Sequence, residues 1–167
     1  PCWRSAEAIP GVQSAAPASD TKQRLDALFE SYFEDNLRAS PILATFIGDN
    51  RYNDQLPNFL GTQYRADAQA LNQKYLTAIR AIDPEGLPQA QRISYDMFLY
   101  EREREQRSEQ YPSHLLPLDQ KGTLLTLMQS LGSGTNAQPF ATVQDYDNWL
   151  RRLDGLVVWM DQAIVNM

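Results

Sequence analysis

The strongest pattern in the sequence is the helical spacing of apolar residues near its C-terminal end. Thr142 and Asp145 occupy the two positions of a capping box, so they predict the first turn of a helix. The pattern extends to Met167 without a basic final turn, which predicts that this last helix is truncated. One wide apolar face is formed by Val143, Tyr146, Trp149, Leu150, Leu153, Leu156, Val157, Met160 and Ile164.

Helix boundary signals recur through the rest of the chain. Asp20 followed by Gln23 predicts an N-cap and the start of the first long helix. No alternation of apolar and polar residues bounded by turns predicts a strand anywhere. The sequence therefore predicts an all-α fold. Besides the last helix, the predicted helices cover residues 21–39, 41–46, 63–82, 88–109 and 123–131.

The same spacing predicts which side chains face the core. In the helix that starts near residue 88, Ile93, Met97 and Tyr100 are expected to point inward. Trp149 and Trp159 are expected on opposite sides of the last helix, packed between two layers. We expect an irregular multi-helix bundle that forms the N-terminal portion of a larger helical protein.

Composition and charge exclude two classes of partner. The net charge is −6 and the pI is about 4.7, whereas a nucleic-acid partner requires clustered Lys and Arg. No apolar run reaches the roughly 20 residues of a transmembrane segment. We therefore expect neither nucleic acid binding nor a transmembrane helix.

The first 19 residues differ in composition from the helical segment of residues 20–167. They mix Ala, Ser, Pro and Gly without periodicity, which is typical of a flexible tail or linker. Such a stretch often follows a cleaved export signal, so we expect a periplasmic or otherwise exported protein, with a lipoprotein as one form of export. Lipidation is disfavoured because Pro1 precedes Cys2.

The residues that most often hold metals or form nucleophiles are scarce. Cys2 is the only cysteine and His114 the only histidine, whereas a zinc hydrolase needs at least three protein ligands and a base. His114 lies between a proline and two leucines, a setting typical of a packed or surface histidine. We assign no catalytic residue, no metal ligand and no cofactor to this segment.

The densest group of polar residues lies between two predicted helices, in the loop of residues 49–61. Asp49, Arg51 and Tyr52 stand among turn-forming residues, where scaffolds often place functional groups. We predict that these three residues line a cleft in the intact protein. The alternative is structural: Asp49 and Asp54 cap neighbouring turns, and Arg51 pairs with a carboxylate.

Three blocks of the sequence, residues 25–58, 114–122 and 139–167, resemble the N-terminal part of the bacterial domain-of-unknown-function 885 family. The resemblance implies a longer, largely helical and often exported protein similar to zinc metallopeptidases of the His-Glu-x-x-His type. The family's metal motif, His-Glu-x-x-Pro-Gly-His, lies far C-terminal to these blocks. No His-Glu step occurs in this sequence, so the metal-ligand roles transfer to none of its residues.

Two functional hypotheses follow. The chain is an N-terminal helical scaffold segment of an exported zinc-dependent peptidase-like hydrolase, with zinc held elsewhere and no catalysis of its own. Alternatively, it is a self-contained helical protein-interaction module without enzymatic activity. The expected partners are the remainder of its own polypeptide, or a second copy bound through the last helix.

We expect the chain of 167 residues to bind no stoichiometric zinc and to hydrolyse no peptide. The physical reason is that one imidazole cannot supply the ligand set of a zinc hydrolase. Metal analysis of the purified chain tests this expectation directly, and one tightly bound zinc per chain would contradict it.

Overall fold

A computed structural model describes residues 18–118 and 123–167 of the chain. The described residues form an all-α structure, and none of them lies in a β-strand. None of their helices is both long and apolar enough to cross a membrane. Two 3-10 turns lie at Asn50–Tyr52 and Ser113–Leu115. The α-helices are α1 (Ala18–Ala39), α2 (Pro41–Phe46), α3 (Thr62–Arg80), α4 (Gln89–Ser108), α5 (Leu124–Gly132) and α6 (Val143–Asn166).

The helices α1, α3 and α4 pack around one hydrophobic cluster. α3 contacts both α1 and α4, so it lies centrally in this group. Each helix contributes apolar side chains from one face, as expected for amphipathic helices that bury a stripe. The buried members of the cluster are Leu25, Leu76, Ile79, Ile82 and Tyr95.

The face of α4 that packs inward is not the predicted one. Ile93, Met97 and Tyr100 are 53%, 64% and 57% exposed, so the prediction that they point into the core was wrong. The inward face instead carries Phe98, whose ring contacts the rings of Phe29 and Tyr32, and Arg102, whose guanidinium lies 4.6 Å from the Tyr32 ring centroid. Both faces have helical spacing, and the aromatic and cation–π pairs with α1 favour the second one.

A second hydrophobic cluster joins α5 and α6 to the segment between α2 and α3. Its largest fully buried residue is Trp159 of α6, which is 1% exposed and contacts Phe59 at 5.7 Å between ring centroids. Trp149 is partly buried against the same cluster. The prediction that the two tryptophans lie on opposite sides of α6 was therefore wrong. Side chains ten positions apart in an α-helix point in directions that differ by only about 80°, so Trp149 and Trp159 lie on the same half of the helix.

The helix starts agree with the capping rules in one case and not in another. Thr142 and Asp145 form the predicted capping box of α6, and their hydrogen bonds hold the pKa of the Asp145 carboxyl below its usual value. Asp20, in contrast, is not an N-cap, because α1 already includes Ala18 and Ser19. Asp20 lies in the first turn, where its negative charge interacts favourably with the helix dipole and stabilises α1. Residues 1–17 of the predicted tail lie outside the described residues.

The α1–α3 contact is reinforced by hydrogen bonds to one carboxylate. Asp35 of α1 accepts from Lys74 Nζ at 2.7 Å and from the Tyr75 hydroxyl at 2.8 Å, both on α3. The hydrogen bond from Lys74 and then that from Tyr75 lower the pKa of the Asp35 carboxyl. A carboxyl whose pKa is lowered by folding stabilises the fold above its unfolded pKa, and this contribution is lost as the pH falls through the folded pKa.

We predict that Asp35→Asn lowers the free energy of unfolding by about 1 kcal/mol at pH 6. The difference from wild type should shrink as the pH falls below the usual aspartate range, because the protonated wild-type carboxyl then also lacks the ionic hydrogen bonds. Urea unfolding of both proteins between pH 2.5 and 7 measures this difference in the free energy of unfolding. Tyr75→Phe should reduce the effect of Asp35→Asn. A difference that stays constant over this pH range would contradict the assignment.

Candidate functional site

The predicted loop residues form a cluster of ion pairs at the surface. Asp49 accepts a hydrogen bond from the Arg51 backbone and caps the 3-10 turn. The Arg51 guanidinium lies 2.6 Å from Asp49 Oδ2 and bonds both carboxylate oxygens of Glu34 at 3.0 and 3.1 Å. Its carbon atom Cζ lies 5.4 Å from the Tyr52 ring centroid. The hydrogen bonds to Asp49 and then to Glu34 raise the pKa of Arg51, and those from Arg51 lower the pKa of Asp49.

These contacts match the structural alternative for Asp49 and Arg51, since each carboxylate already has a cationic partner. Asp49, Arg51 and Tyr52 are not among the residues that line the largest described cavity. Their predicted position in a cleft concerns a longer polypeptide and stays a prediction. Tyr52 contributes in another way, because its backbone carbonyl accepts a hydrogen bond from a buried arginine of α6.

That arginine, Arg152, is the main polar feature of the interior, and sequence reasoning missed it. Arg152 is 0% exposed, and its guanidinium donates hydrogen bonds to four oxygen atoms from different parts of the chain. The acceptors are Gln55 O at 3.1 Å, Gln138 Oε1 at 2.8 Å, Thr45 Oγ1 at 2.9 Å and Tyr52 O at 2.9 Å.

The hydrogen-bonding network extends one step beyond the guanidinium. The Thr45 hydroxyl of α2 lies 2.7 Å from Asn53 Oδ1, and Asn53 Nδ2 donates to Asn50 Oδ1 at 2.8 Å. α2, the 3-10 turn and the segment that precedes α6 are therefore all joined to α6 through neutral oxygen acceptors. This arrangement positions the loop of residues 49–56 against the helix.

Burial of this charge is costly, and the network offsets the cost. Desolvation lowers the pKa of Arg152 to about 10, while the nearby Asp54 carboxylate acts in the opposite direction. The guanidinium stays charged at neutral pH and has no carboxylate in direct contact among the described residues. Removal of the arginine would leave four oxygens without their donor in a water-excluded site.

A close approach between backbone segments permits these short hydrogen bonds. A Cβ atom on Gly155 would lie 2.5 Å from the Leu56 carbonyl oxygen, so only glycine lets α6 lie this close to the loop. Gly155 is one helical turn after Arg152. A glycine within a helix is unfavourable by roughly 1 kcal/mol relative to alanine. It was the one available sequence signal that something packs tightly against this part of α6.

The largest described cavity lies beside this network and has a volume of about 650 Å³. Its apolar wall includes Leu56, Pro57, Tyr64 and Leu71. Its charged residues are Asp35, Arg38, Asp54, Asp67 and Arg151. The cavity combines an apolar surface with both signs of charge, a composition that is common in ligand-binding sites.

The described residues contain no group of three His, Cys, Asp or Glu side chains that could hold a metal ion. The described residues thus define an all-α protein whose main buried polar feature is the hydrogen-bonding network of Arg152. Residues 41–167 match the model of the family described as "Bacterial protein of unknown function (DUF885)", and this is well over half of the chain. The chain belongs to the DUF885 family. No curated protein and no solved structure matches it.

We predict that Arg152→Lys lowers the free energy of unfolding by about 3 kcal/mol, because a lysine ammonium cannot donate to four oxygens arranged around a planar guanidinium. The matched control is Arg151→Lys, which changes the exposed neighbour and should alter stability by no more than about 0.5 kcal/mol. Urea unfolding at neutral pH measures both. Equal effects of the two substitutions would show that the network does not stabilise the fold.

Proposed function

We propose that this chain is a helical scaffold segment of a longer DUF885 polypeptide, and that this polypeptide is an exported zinc-dependent peptidase-like hydrolase. The hydrolase part is supported by the resemblance of the three sequence blocks to a family that is similar to zinc metallopeptidases. The scaffold part is supported by one structural observation: α6 exposes an apolar stripe along its whole length.

The stripe has the spacing of a helix–helix interface. Its members alternate at intervals of three and four residues, as the a and d positions of a coiled coil do. Apart from Leu153, which is partly buried, they are between 42% and 79% exposed. The members are Val143, Tyr146, Leu150, Leu153, Val157, Met160, Ile164 and Met167.

A row of negative charge runs beside the stripe. Asp147, Asp154 and Asp161 are spaced seven residues apart, each directly after a d-type member of the stripe. All three are exposed, and none forms an ion pair with a residue that the structure describes. A helix that packs on the stripe would place its flanking residues next to this row.

The charge row favours one kind of partner over another. In an antiparallel pair of copies, the two aspartate rows would face each other, and like charges in contact are destabilising. In a parallel pair, the row would face Trp149, Leu156 and Ala163, which carry no positive charge. A helix with Lys or Arg beside its apolar stripe complements the row better. We assign that helix to the remainder of the same polypeptide, in preference to a second copy.

Packing on this stripe would contribute substantially to the stability of the longer protein. Full burial of a Val- or Leu-sized side chain is worth roughly 1.5 to 3 kcal/mol, and the stripe offers several. α6 is also held rigidly at Arg152, so it presents the stripe on a preformed surface. In this role the segment would buttress a catalytic portion that supplies the zinc ligands.

The scaffold role predicts that Val157→Asp has different effects in two settings. In the chain of 167 residues, where Val157 is 58% exposed, the substitution should lower the free energy of unfolding by about 1 kcal/mol at most, because the new carboxylate lies one turn from Asp154 and Asp161. In the longer polypeptide, it should cost about 3 kcal/mol, because it would bury an unpaired carboxylate. Gln144→Asp, on the same helix outside the stripe, is the control in both settings.

Denaturant unfolding of both proteins provides the measurement. An effect of Val157→Asp that is equally small in both proteins would refute the scaffold role. The hydrolase role has a separate test, since the longer polypeptide should bind about one zinc per chain and cleave peptides in a zinc-dependent manner. Loss of stability on Val157→Asp without zinc-dependent cleavage would refute the hydrolase role alone.

A further inference from the structure

A small cavity of about 270 Å³ lies where the segment of residues 113–117 crosses α3 and α6. The segment is fixed in place, because Asn166 of α6 donates a hydrogen bond to the His114 carbonyl oxygen at 2.9 Å. The apolar part of the cavity is formed by Phe59, Leu60, Leu116 and Pro117.

Two buried hydrogen-bond donors on residues that line this cavity have no acceptor among the described residues. The indole Nε1 of Trp159 is one, on a residue that is only 1% exposed. The Nε atom of Arg65 is the other. Buried polar groups are nearly always paired, and an unpaired one costs roughly 1 to 3 kcal/mol. Both residues line the same cavity.

The remaining polar atoms of the cavity are also suited to an anion. Arg65 Nη1 lies 3.3 Å from His114 Nδ1, which accepts the hydrogen bond because a guanidinium can only donate. Arg65 forms no ion pair with a carboxylate among the described residues, although Glu105 and Glu109 line the neighbouring cavity that it shares. Among the residues that the structure describes, no Asp or Glu lines the cavity itself.

We infer that this cavity binds an apolar carboxylate, with the carboxylate at Arg65 and Trp159 and the apolar group against Phe59 and Leu116. A carboxylate accepts the Arg65 charge and several hydrogen bonds at once, which a neutral acceptor cannot do. The ligand is either a free organic acid or the C-terminal carboxylate of a peptide that ends in an apolar residue, because both present the same chemistry. The site is independent of the proposed zinc-dependent cleavage.

The test uses NMR of the chain of 167 residues with ¹⁵N-labelled tryptophan. Trp159→Phe, which keeps an aromatic ring, identifies the Trp159 indole resonance by its disappearance; Trp149→Phe is the matched control. Phenylacetate and N-acetyl-alanyl-leucine are the two probes, and they separate a free acid from a peptide C-terminus. Their amides, phenylacetamide and N-acetyl-alanyl-leucinamide, are neutral controls of nearly the same shape.

We expect at least one of the acids to shift the Trp159 indole resonance in a saturable way and its amide to bind at least about tenfold more weakly, since the charge-assisted hydrogen bonds are lost. Arg65→Gln should weaken binding of that acid by about the same factor. If neither acid shifts the resonance at millimolar concentrations, or if the amides bind as tightly as the acids, the inference is overturned. The amide comparison uses the unmodified chain and so does not depend on whether the variants fold.

Discussion

The buried guanidinium of Arg152 is the interaction on which the rest of the structure depends. It joins α6 to α2, to the loop of residues 50–56 and to Gln138, through four hydrogen bonds that no other residue type can make together. Because the cost of burying the charge is offset only when all four acceptors are in place, the network specifies one arrangement of these segments. It thereby fixes both the cavity beside the loop and the direction of α6.

That direction gives α6 two faces with different roles. One face carries Trp159 and Ala163 into the second hydrophobic cluster. The other presents an apolar stripe and a row of aspartates away from the described residues. A helix that is already anchored by a polar network and a core can offer its second face without reorganising, which lowers the entropic cost of packing another helix against it. The same anchoring holds Trp159 at the cavity that we assign to a carboxylate.

The all-α class, the helix positions and the capping box at Thr142 were predictable, because they depend on local spacing and local hydrogen bonds. The inward face of α4 was not, since Met97 and Phe98 both lie on plausible helical stripes and only the aromatic rings of α1 distinguish them. The partners of Arg152 were not predictable either, because its four acceptors lie 14 to 107 residues away in sequence. Gly155 indicates close packing near Arg152 but identifies no partner. Arg51 pairs with Glu34, which lies 17 residues away in sequence, so the loop sequence alone could not predict this partner.

Native-state hydrogen exchange of the loop beside Arg152 tests the central claim most directly. The Gln55 amide, which donates to the Tyr52 carbonyl at 3.1 Å, reports whether the loop opens independently. If the guanidinium holds the loop and α6 as one unit, this amide should exchange with an opening free energy close to that of the amides in the middle of α6. An opening free energy near zero, typical of a surface loop, together with a protected α6 would contradict the account.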